Sequence, residues 1–262
     1  MQNGLSFDDI CEHIVSDYFN TIDYPRIQFV MRKTDDMKKS YLELCSEQAK
    51  ESVQGKNLND YNGIMVPPKD LYGTFYFLLN VNKLTEYLEQ NNPTWIGTIV
   101  HEITHIIDYI EYAKLIGANN YDEIQNRFEH GMFNLWTEFN ARYNGYYFMR
   151  KNISDNISDL SFLHDIFNKE LPAQIQMLAD NYKSTNDGYL QAYYVSHYLG
   201  RLFALQKIFP SNFDNQTIKA IIGENEWMYE WFVFLSTHTD LKDAYEDFED
   251  MKNILRKNFK GL

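Results

Sequence analysis

Apolar and polar residues alternate at helical spacing over most of this chain. Near the N-terminus, Ile10, Ile14 and Tyr18 recur every four residues, which places them on one face of a helix. Ser6 precedes this face and has a side chain typical of a helix N-cap. The pattern therefore predicts a helix over residues 6–21.

The C-terminal half of the chain has the same periodicity throughout. Pro172, Gly188, Pro210 and Gly223 separate its apolar repeats and mark the expected helix boundaries. No long glycine- or serine-rich linker interrupts this region, so we expect its helices to pack on the preceding part of the chain. Helical periodicity also appears earlier in the chain. Besides the helix at 6–21, the predicted helices are 35–51, 121–150, 159–168, 171–182, 188–209, 215–222, 225–236 and 240–259.

Three short segments in the first third of the chain have the composition of β-strands. Residues 26–31 alternate in polarity, residues 63–66 form a short apolar run that ends at two prolines, and residues 74–80 form the strongest strand pattern. A small sheet followed by many helices predicts a helix-rich α+β fold.

Composition and charge limit the classes of function. The chain has 262 residues, of which 44% are hydrophobic, which excludes a disordered protein and fits one large domain or two small ones. The formal net charge of −13 disfavours binding to nucleic acid or to an anionic membrane. It permits a basic polypeptide substrate.

The sequence also bears on the cellular compartment. No apolar run approaches the ~18 residues needed to span a bilayer, and the N-terminal residues lack the regions of a signal peptide. Cys11 and Cys45 have no metal-binding or disulfide spacing, so we expect reduced, buried thiols. These features together predict a cytoplasmic protein.

The strongest chemical signal is a His-Glu-x-x-His motif in an apolar helical segment. His101 and His105 are four residues apart, so both imidazoles leave the same face of the helix and can bind one Zn²⁺ at about 2.0–2.1 Å. Glu102 would stand beside the metal as a general base. We expect Thr94 to cap this helix and Gly117 to follow its C-terminus.

A catalytic zinc site needs a third protein ligand, and two glutamates are candidates. Glu111 lies ten residues after His101, the position of the third ligand in the metzincin pattern, but Asp108 replaces the glycine that this pattern needs for a turn. Glu138 lies among apolar residues on the next predicted helix, where a carboxylate needs a metal or a cation. We favour Glu138, with a surface ion pair between Glu138 and Arg142 as the alternative.

This arrangement resembles the gluzincin zinc metallopeptidases, in which His-Glu-x-x-His lies on one helix and a glutamate on the next. Asp108 and the sequence Glu-Phe-Asn-Ala-Arg, which begins at Glu138, are similar to two subgroups. One comprises ImmA/IrrE-like cytoplasmic peptidases of phage and mobile elements. The other is the anthrax-lethal-factor-like group, which includes Pro-Pro endopeptidases. The resemblance covers roughly residues 70–150.

The resemblance implies further roles in the site. Gluzincins usually supply a hydrogen-bond donor to the oxyanion from beyond the third ligand. His197 and its adjacent tyrosines, Tyr194 among them, are the candidates by position and type, with an aromatic core helix as the alternative. Asp108 shares a helix face with the two histidines and would orient a ligand or hold an adjoining helix, with a solvent-facing aspartate as the alternative. The strand at residues 74–80 would be the sheet edge that binds an extended peptide, or else an ordinary core strand.

We therefore predict a Zn²⁺-dependent metalloendopeptidase with a polypeptide substrate. Residues 1–150 would form a zincin-like catalytic domain, and residues 151–262 a helical region packed on it. A second possibility is a catalytically silent zinc-binding protein with a regulatory or interaction role in a phage or mobile element. A third is a helical interaction protein without metal.

Overall fold

Helix boundaries follow local capping signals in the computed structural model, which describes residues 6–53, 55–125, 127, 129–153, 160–223 and 225–259. The first helix, α1, begins after Ser6, whose hydroxyl accepts a hydrogen bond from the backbone N–H of Asp9 at 3.1 Å. The Asp9 carboxylate accepts a hydrogen bond from the Ser6 N–H in return, which completes a capping box. The predicted N-cap is confirmed.

The protein has a helix-rich α+β fold, as predicted. A 3₁₀ turn at Leu58–Asp60 and a π-helical turn at Ile166–Glu170 accompany the α-helices. The α-helices of the described residues are α1 Phe7–Ile22, α2 Met37–Leu44, α3 Glu47–Ser52, α4 Val81–Glu89, α5 Thr94–Leu115, α6 Tyr121–Gln125, α7 His130–Ile153, α8 Leu160–Asp165, α9 Leu171–Lys183, α10 Gly188–Ile208, α11 Asn215–Ile222, α12 Glu226–Thr237, α13 Leu241–Glu246 and α14 Phe248–Asn258.

Contacts divide the chain into two compact units, Met1–His130 and Gly131–Leu262. The boundary of this division differs from that between the expected catalytic and helical regions, 1–150 and 151–262. The assignment of those two regions stays a prediction. The sheet belongs to the first unit, and the second unit is helical wherever it has regular structure among the described residues.

The sheet has three strands, β1 Phe29–Thr34, β2 Gly63–Val66 and β3 Phe75–Asn80. Their order is β1-β3-β2, with β1 parallel and β2 antiparallel to β3. The expectation that the strand at 74–80 is a sheet edge is therefore wrong. Its two sides are hydrogen-bonded to β1 and β2, and five of its six residues are buried, so it is the core strand of the alternative interpretation.

Local pairing also shifts two of the predicted boundaries. The strand predicted at 26–31 begins at Phe29, because pairing with β3 starts where Phe29 meets Phe75. The predicted cap of α5 is wrong, since Thr94 is its first helical residue and its hydroxyl donates to the Asn92 side chain at 2.7 Å. Pro93 takes the cap position without a side-chain hydrogen bond.

A buried hydrogen bond joins α1 to α5 inside the first unit. The Thr104 hydroxyl donates to the Val100 carbonyl at 2.8 Å, so its oxygen accepts from the Tyr18 hydroxyl at 2.7 Å. Tyr18 and Thr104 are both buried. Because Thr104 lies directly before His105, this bond fixes α1 against the part of α5 that carries the histidines.

Close helix packing shapes the second unit. A Cβ atom at Gly200 of α10 would lie 2.5 Å from the Phe139 carbonyl oxygen of α7, so only glycine permits this approach. The Trp136 indole N–H donates to the His238 carbonyl at 2.6 Å, and Trp231 donates to the Ser196 hydroxyl at 2.9 Å. The two buried indole N–H groups of Trp136 and Trp231 thus both find hydrogen-bond partners within this unit.

The two cysteines are free thiols with little exposure, as predicted. Burial raises the pKa of the Cys11 thiol to about 12, so it stays protonated near neutral pH. Within the described residues, no helix combines the length and hydrophobicity needed to cross a membrane.

Candidate metal centre

The helix α5 carries the motif through the interior of the first unit. Ile99, Val100 and Ile103 have no exposed surface, and His101 and Glu102 are 7% and 6% exposed. A solvated helix face with chance histidines would leave these side chains in water. Removing two imidazoles and a carboxylate from water costs free energy, and binding to a metal ion would offset that cost.

The two imidazoles converge on one point. Their Nε2 atoms are 3.0 Å apart, and the ring planes are nearly perpendicular at 88°. Two nitrogens bound to one tetrahedral metal at about 2.0–2.1 Å would be roughly 3.3 Å apart. The histidine pair therefore has close to the spacing that a shared metal ion requires.

The third member of the group is Glu138 on α7. One carboxylate oxygen of Glu138 and one ring nitrogen each of His101 and His105 all lie within 4.8 Å of one another. Glu138 is 5% exposed, so the alternative of a surface pair between Glu138 and Arg142 is wrong. The buried group of His101, His105 and Glu138 could hold a metal ion.

The competing ligand, Glu111, is engaged elsewhere. Its carboxylate accepts hydrogen bonds from the Tyr24 hydroxyl and from the Lys114 ammonium, the latter at 2.8 Å. Its helix continues to Leu115 without the turn that the metzincin pattern needs. Within the described part of the chain, the structure groups Glu138 and not Glu111 with the histidines.

The donor set matches the chemistry of a catalytic zinc ion. Two imidazole nitrogens and one carboxylate oxygen are typical zinc ligands, and three protein ligands leave one coordination position for water or substrate. Calcium or magnesium would favour sites built from oxygen ligands. The residues present therefore fit Zn²⁺, although the same ligands also accept other transition metals.

Charged and polar groups surround the Glu138 carboxylate within the second unit. Burial raises the pKa of Glu138, while Arg142, a hydrogen bond from Tyr193 and the charge of Arg201 act in the opposite direction. The Nε2 atom of His197 lies 3.6 Å from Glu138 Oε1. Burial is the largest of these effects, so the metal-free carboxylate is easier to protonate than an exposed one, and metal binding would favour its ionised form.

The structure places His197, but not Tyr194, directly beside this carboxylate. The neighbouring Tyr193 makes the hydrogen bond to Glu138, and the Tyr194 ring packs against Tyr193 with centroids 5.9 Å apart. The roles of His197 and Tyr194 in stabilising an oxyanion stay predictions. Tyr193, His197 and Arg201 follow one another at intervals of four on α10 and so share one helix face, which is a signal in the sequence for the group around Glu138.

Asp108 is buried at 5% exposure on α5. Burial, a hydrogen bond to Glu111 and the charges of Glu111 and Asp108 together raise the pKa of Tyr24. Asp108 thus lies near Tyr24, two residues beyond the end of α1. Its predicted role in orienting a zinc ligand stays a prediction.

Gly63 allows the strand β2 to approach the general-base candidate. A Cβ atom at Gly63 would lie 2.8 Å from Phe77 Cε2, 2.9 Å from Thr98 Cγ2 and 3.1 Å from Glu102 Cγ. All three neighbours are buried. Glu102 is therefore held between its own helix and the first residue of β2, with no room for an added methyl group.

We predict that Gly63→Ala lowers hydrolytic activity through a displaced Glu102 side chain. Overpacking of this kind typically costs about 1–3 kcal/mol of stability, so the protein should still fold. Metal content should stay at the wild-type level, because no metal-ligand candidate is among the crowded atoms. Activity, thermal melting and metal content of purified Gly63→Ala check this, and wild-type turnover in this variant would contradict it.

Comparisons with known proteins do not add to the site. No family model, curated protein or solved structure matches the chain. The interpretation of the metal centre therefore depends on its own geometry and donor chemistry.

Proposed function

We propose that this protein is a zinc-dependent peptidase of the gluzincin type. The observation that carries the proposal is the buried group of His101, His105 and Glu138, with Glu102 next to His101 on the same helix. A purely structural zinc site has four protein ligands and no need for an adjacent buried carboxylate. Three ligands and a buried base are the composition of a hydrolytic site.

Each of the residues has a role in peptide hydrolysis. His101, His105 and Glu138 would hold Zn²⁺, which supplies Lewis-acid activation of water and of the peptide carbonyl. Glu102 would take a proton from the attacking water and pass it to the leaving amine. His197, beside Glu138, would donate a hydrogen bond to the oxygen that gains negative charge.

The sheet supports a polypeptide as the substrate. With the order β1-β3-β2, the strand β2 is a terminal strand of the sheet. Its first residue, Gly63, lies directly against Glu102. An extended peptide that pairs with the outer edge of β2 would therefore run past the general base, and such pairing needs few side-chain contacts.

A peptide library tests the proposal. The zinc-loaded protein should cleave a subset of its members at internal peptide bonds, and a chelator should stop cleavage until zinc is restored. Hydrolysis that persists unchanged after the metal is removed would contradict a zinc-dependent mechanism. Absence of cleavage across the library by a zinc-loaded protein would favour the catalytically silent alternative.

A further inference from the structure

A cavity of about 610 Å³ lies between α1 and the strand β1 in the first unit. Its volume is within the range of roughly 300–1,000 Å³ that is usual for small-ligand sites. No residue that lines it belongs to the metal centre. It is a separate feature of the molecule, and none of the roles described so far uses it.

The cavity has an apolar floor. Cys11 and Val15 of α1 are buried at its base, at 3% and 2% exposure. Ile27, Phe29 and Met31 line it from the other side and are partly buried. Apolar side chains of a ligand would therefore find a surface to cover.

One wall of the cavity is a strand at the end of the sheet. The order β1-β3-β2 leaves the outer side of β1 facing away from β3, and Phe29, Val30 and Met31 of β1 line the cavity together with the preceding residues 26–28. A strand edge offers backbone N–H and C=O groups to another extended chain. Because only three of these residues belong to the strand, a ligand that pairs with them would be about three to four residues long.

Charges of both signs form the rim. Asp8 and Glu12 lie one helical turn apart on α1, while Arg26 and Lys33 lie on the strand side. Arg26 pairs with Glu12, and Lys33 pairs with Asp8 at 2.8 Å. All four side chains are between 42% and 74% exposed. Exposed ion pairs of this kind are typically worth only about 0–1 kcal/mol, so a ligand can replace one partner at small cost.

We propose that this cavity binds a short peptide with free termini in an extended conformation. The Arg26 guanidinium would bind the peptide carboxylate, Asp8 would bind the ammonium group, and the edge of β1 would pair with the peptide backbone. Oligopeptides of this length are also products of peptide hydrolysis, although the cavity does not depend on the proposed function. The charged rim, the open strand edge and the apolar floor each match one part of this ligand.

Calorimetric titration of the full-length Glu102→Gln protein tests the proposal, because this variant cannot consume the probe. The probe is an unblocked tetrapeptide of alternating alanine and valine, with N-acetylated and C-amidated versions as comparisons. An ion pair at this exposed rim contributes about 0.2–1 kcal/mol, so each blocked peptide should bind up to about fivefold more weakly. Equal affinity for free and blocked peptides, or no binding at millimolar concentration, would overturn the proposal.

A matched pair of variants locates the binding. Arg26→Gln should weaken binding by up to about fivefold, for the same reason. Arg32→Gln should leave it unchanged, because Arg32 lies on the same strand, pairs with Glu43 and does not line the cavity. If both variants bind as tightly as their parent, the peptide binds elsewhere and the proposal is wrong.

A third variant separates this site from the metal centre. His105→Ala should retain the tetrapeptide affinity although it removes a metal ligand. Loss of binding in His105→Ala would mean that the peptide had bound at the metal centre, which would overturn the cavity site. If His105→Ala retains tetrapeptide binding and the wild-type protein proves to be inactive as a peptidase, the proposed function is refuted but the cavity site is not.

Discussion

Glu102→Gln is expected to abolish peptide hydrolysis while the protein keeps its metal and its fold. Glutamine has almost the same shape as glutamate, so it should fit the buried space between α5 and Gly63. A carboxamide cannot accept the proton of the attacking water. Removal of a general base typically lowers turnover about 10²–10⁴-fold, and the loss is larger if the water is also misplaced.

The control for this prediction is Glu111→Gln. Glu111 lies on the same helix, but its partners are Tyr24 and Lys114 and it is outside the metal group. This variant should hydrolyse the same peptides at close to the wild-type rate. Turnover should be measured together with metal content and thermal melting for both variants. Wild-type turnover in Glu102→Gln would leave a zinc-binding protein whose motif is not catalytic.

Glu138→Gln should lose most of its metal affinity. The substitution keeps the size of the buried side chain but replaces a charged metal ligand with a neutral amide oxygen, which binds a metal ion poorly. Loss of an outer hydrogen-bond partner typically costs 10–100-fold in affinity, and loss of a ligand should cost more. Because bound metal stabilises the folded state, added zinc should raise the melting temperature of the wild type much more than that of this variant.

The same Glu111→Gln protein serves as the control for the third ligand. If Glu138 completes the site, Glu111→Gln should bind zinc as the wild type does. The opposite result, with normal affinity in Glu138→Gln and weak binding in Glu111→Gln, would show that the third ligand was assigned to the wrong residue. Competition titration with a chromogenic chelator measures these affinities directly.

Local signals in the sequence were sufficient for most helices and for the histidine pair. Ser6 caps α1 as predicted, and the four-residue spacing of His101 and His105 brings their ring nitrogens together. The cap and the histidine pair could be predicted because each depends only on a few neighbouring residues. The strand at 63–66 was also predicted correctly, since two prolines follow it. In each case the relevant interactions span fewer than about six residues.

Features that depend on distant contacts were harder to predict. The order of the strands follows from long-range pairing, and so the central position of β3 could not be read from its own apolar run. Thr94 has the composition of a cap, but its hydroxyl bonds to Asn92. The hydrogen bond between Tyr193 and Glu138 was not predicted, although the four-residue spacing of Tyr193 and His197 places them on one face of α10.

The most direct test of this account is the metal content of the purified protein. After expression with added zinc, elemental analysis should find about one zinc ion per wild-type chain and almost none in His101→Ala, since three protein ligands and one open position define a single site. Peptide hydrolysis should be present in the first protein and absent from the second. A wild-type chain that contains no transition metal, or a His101→Ala chain with the same zinc content, would contradict the assignment of His101, His105 and Glu138 as its ligands.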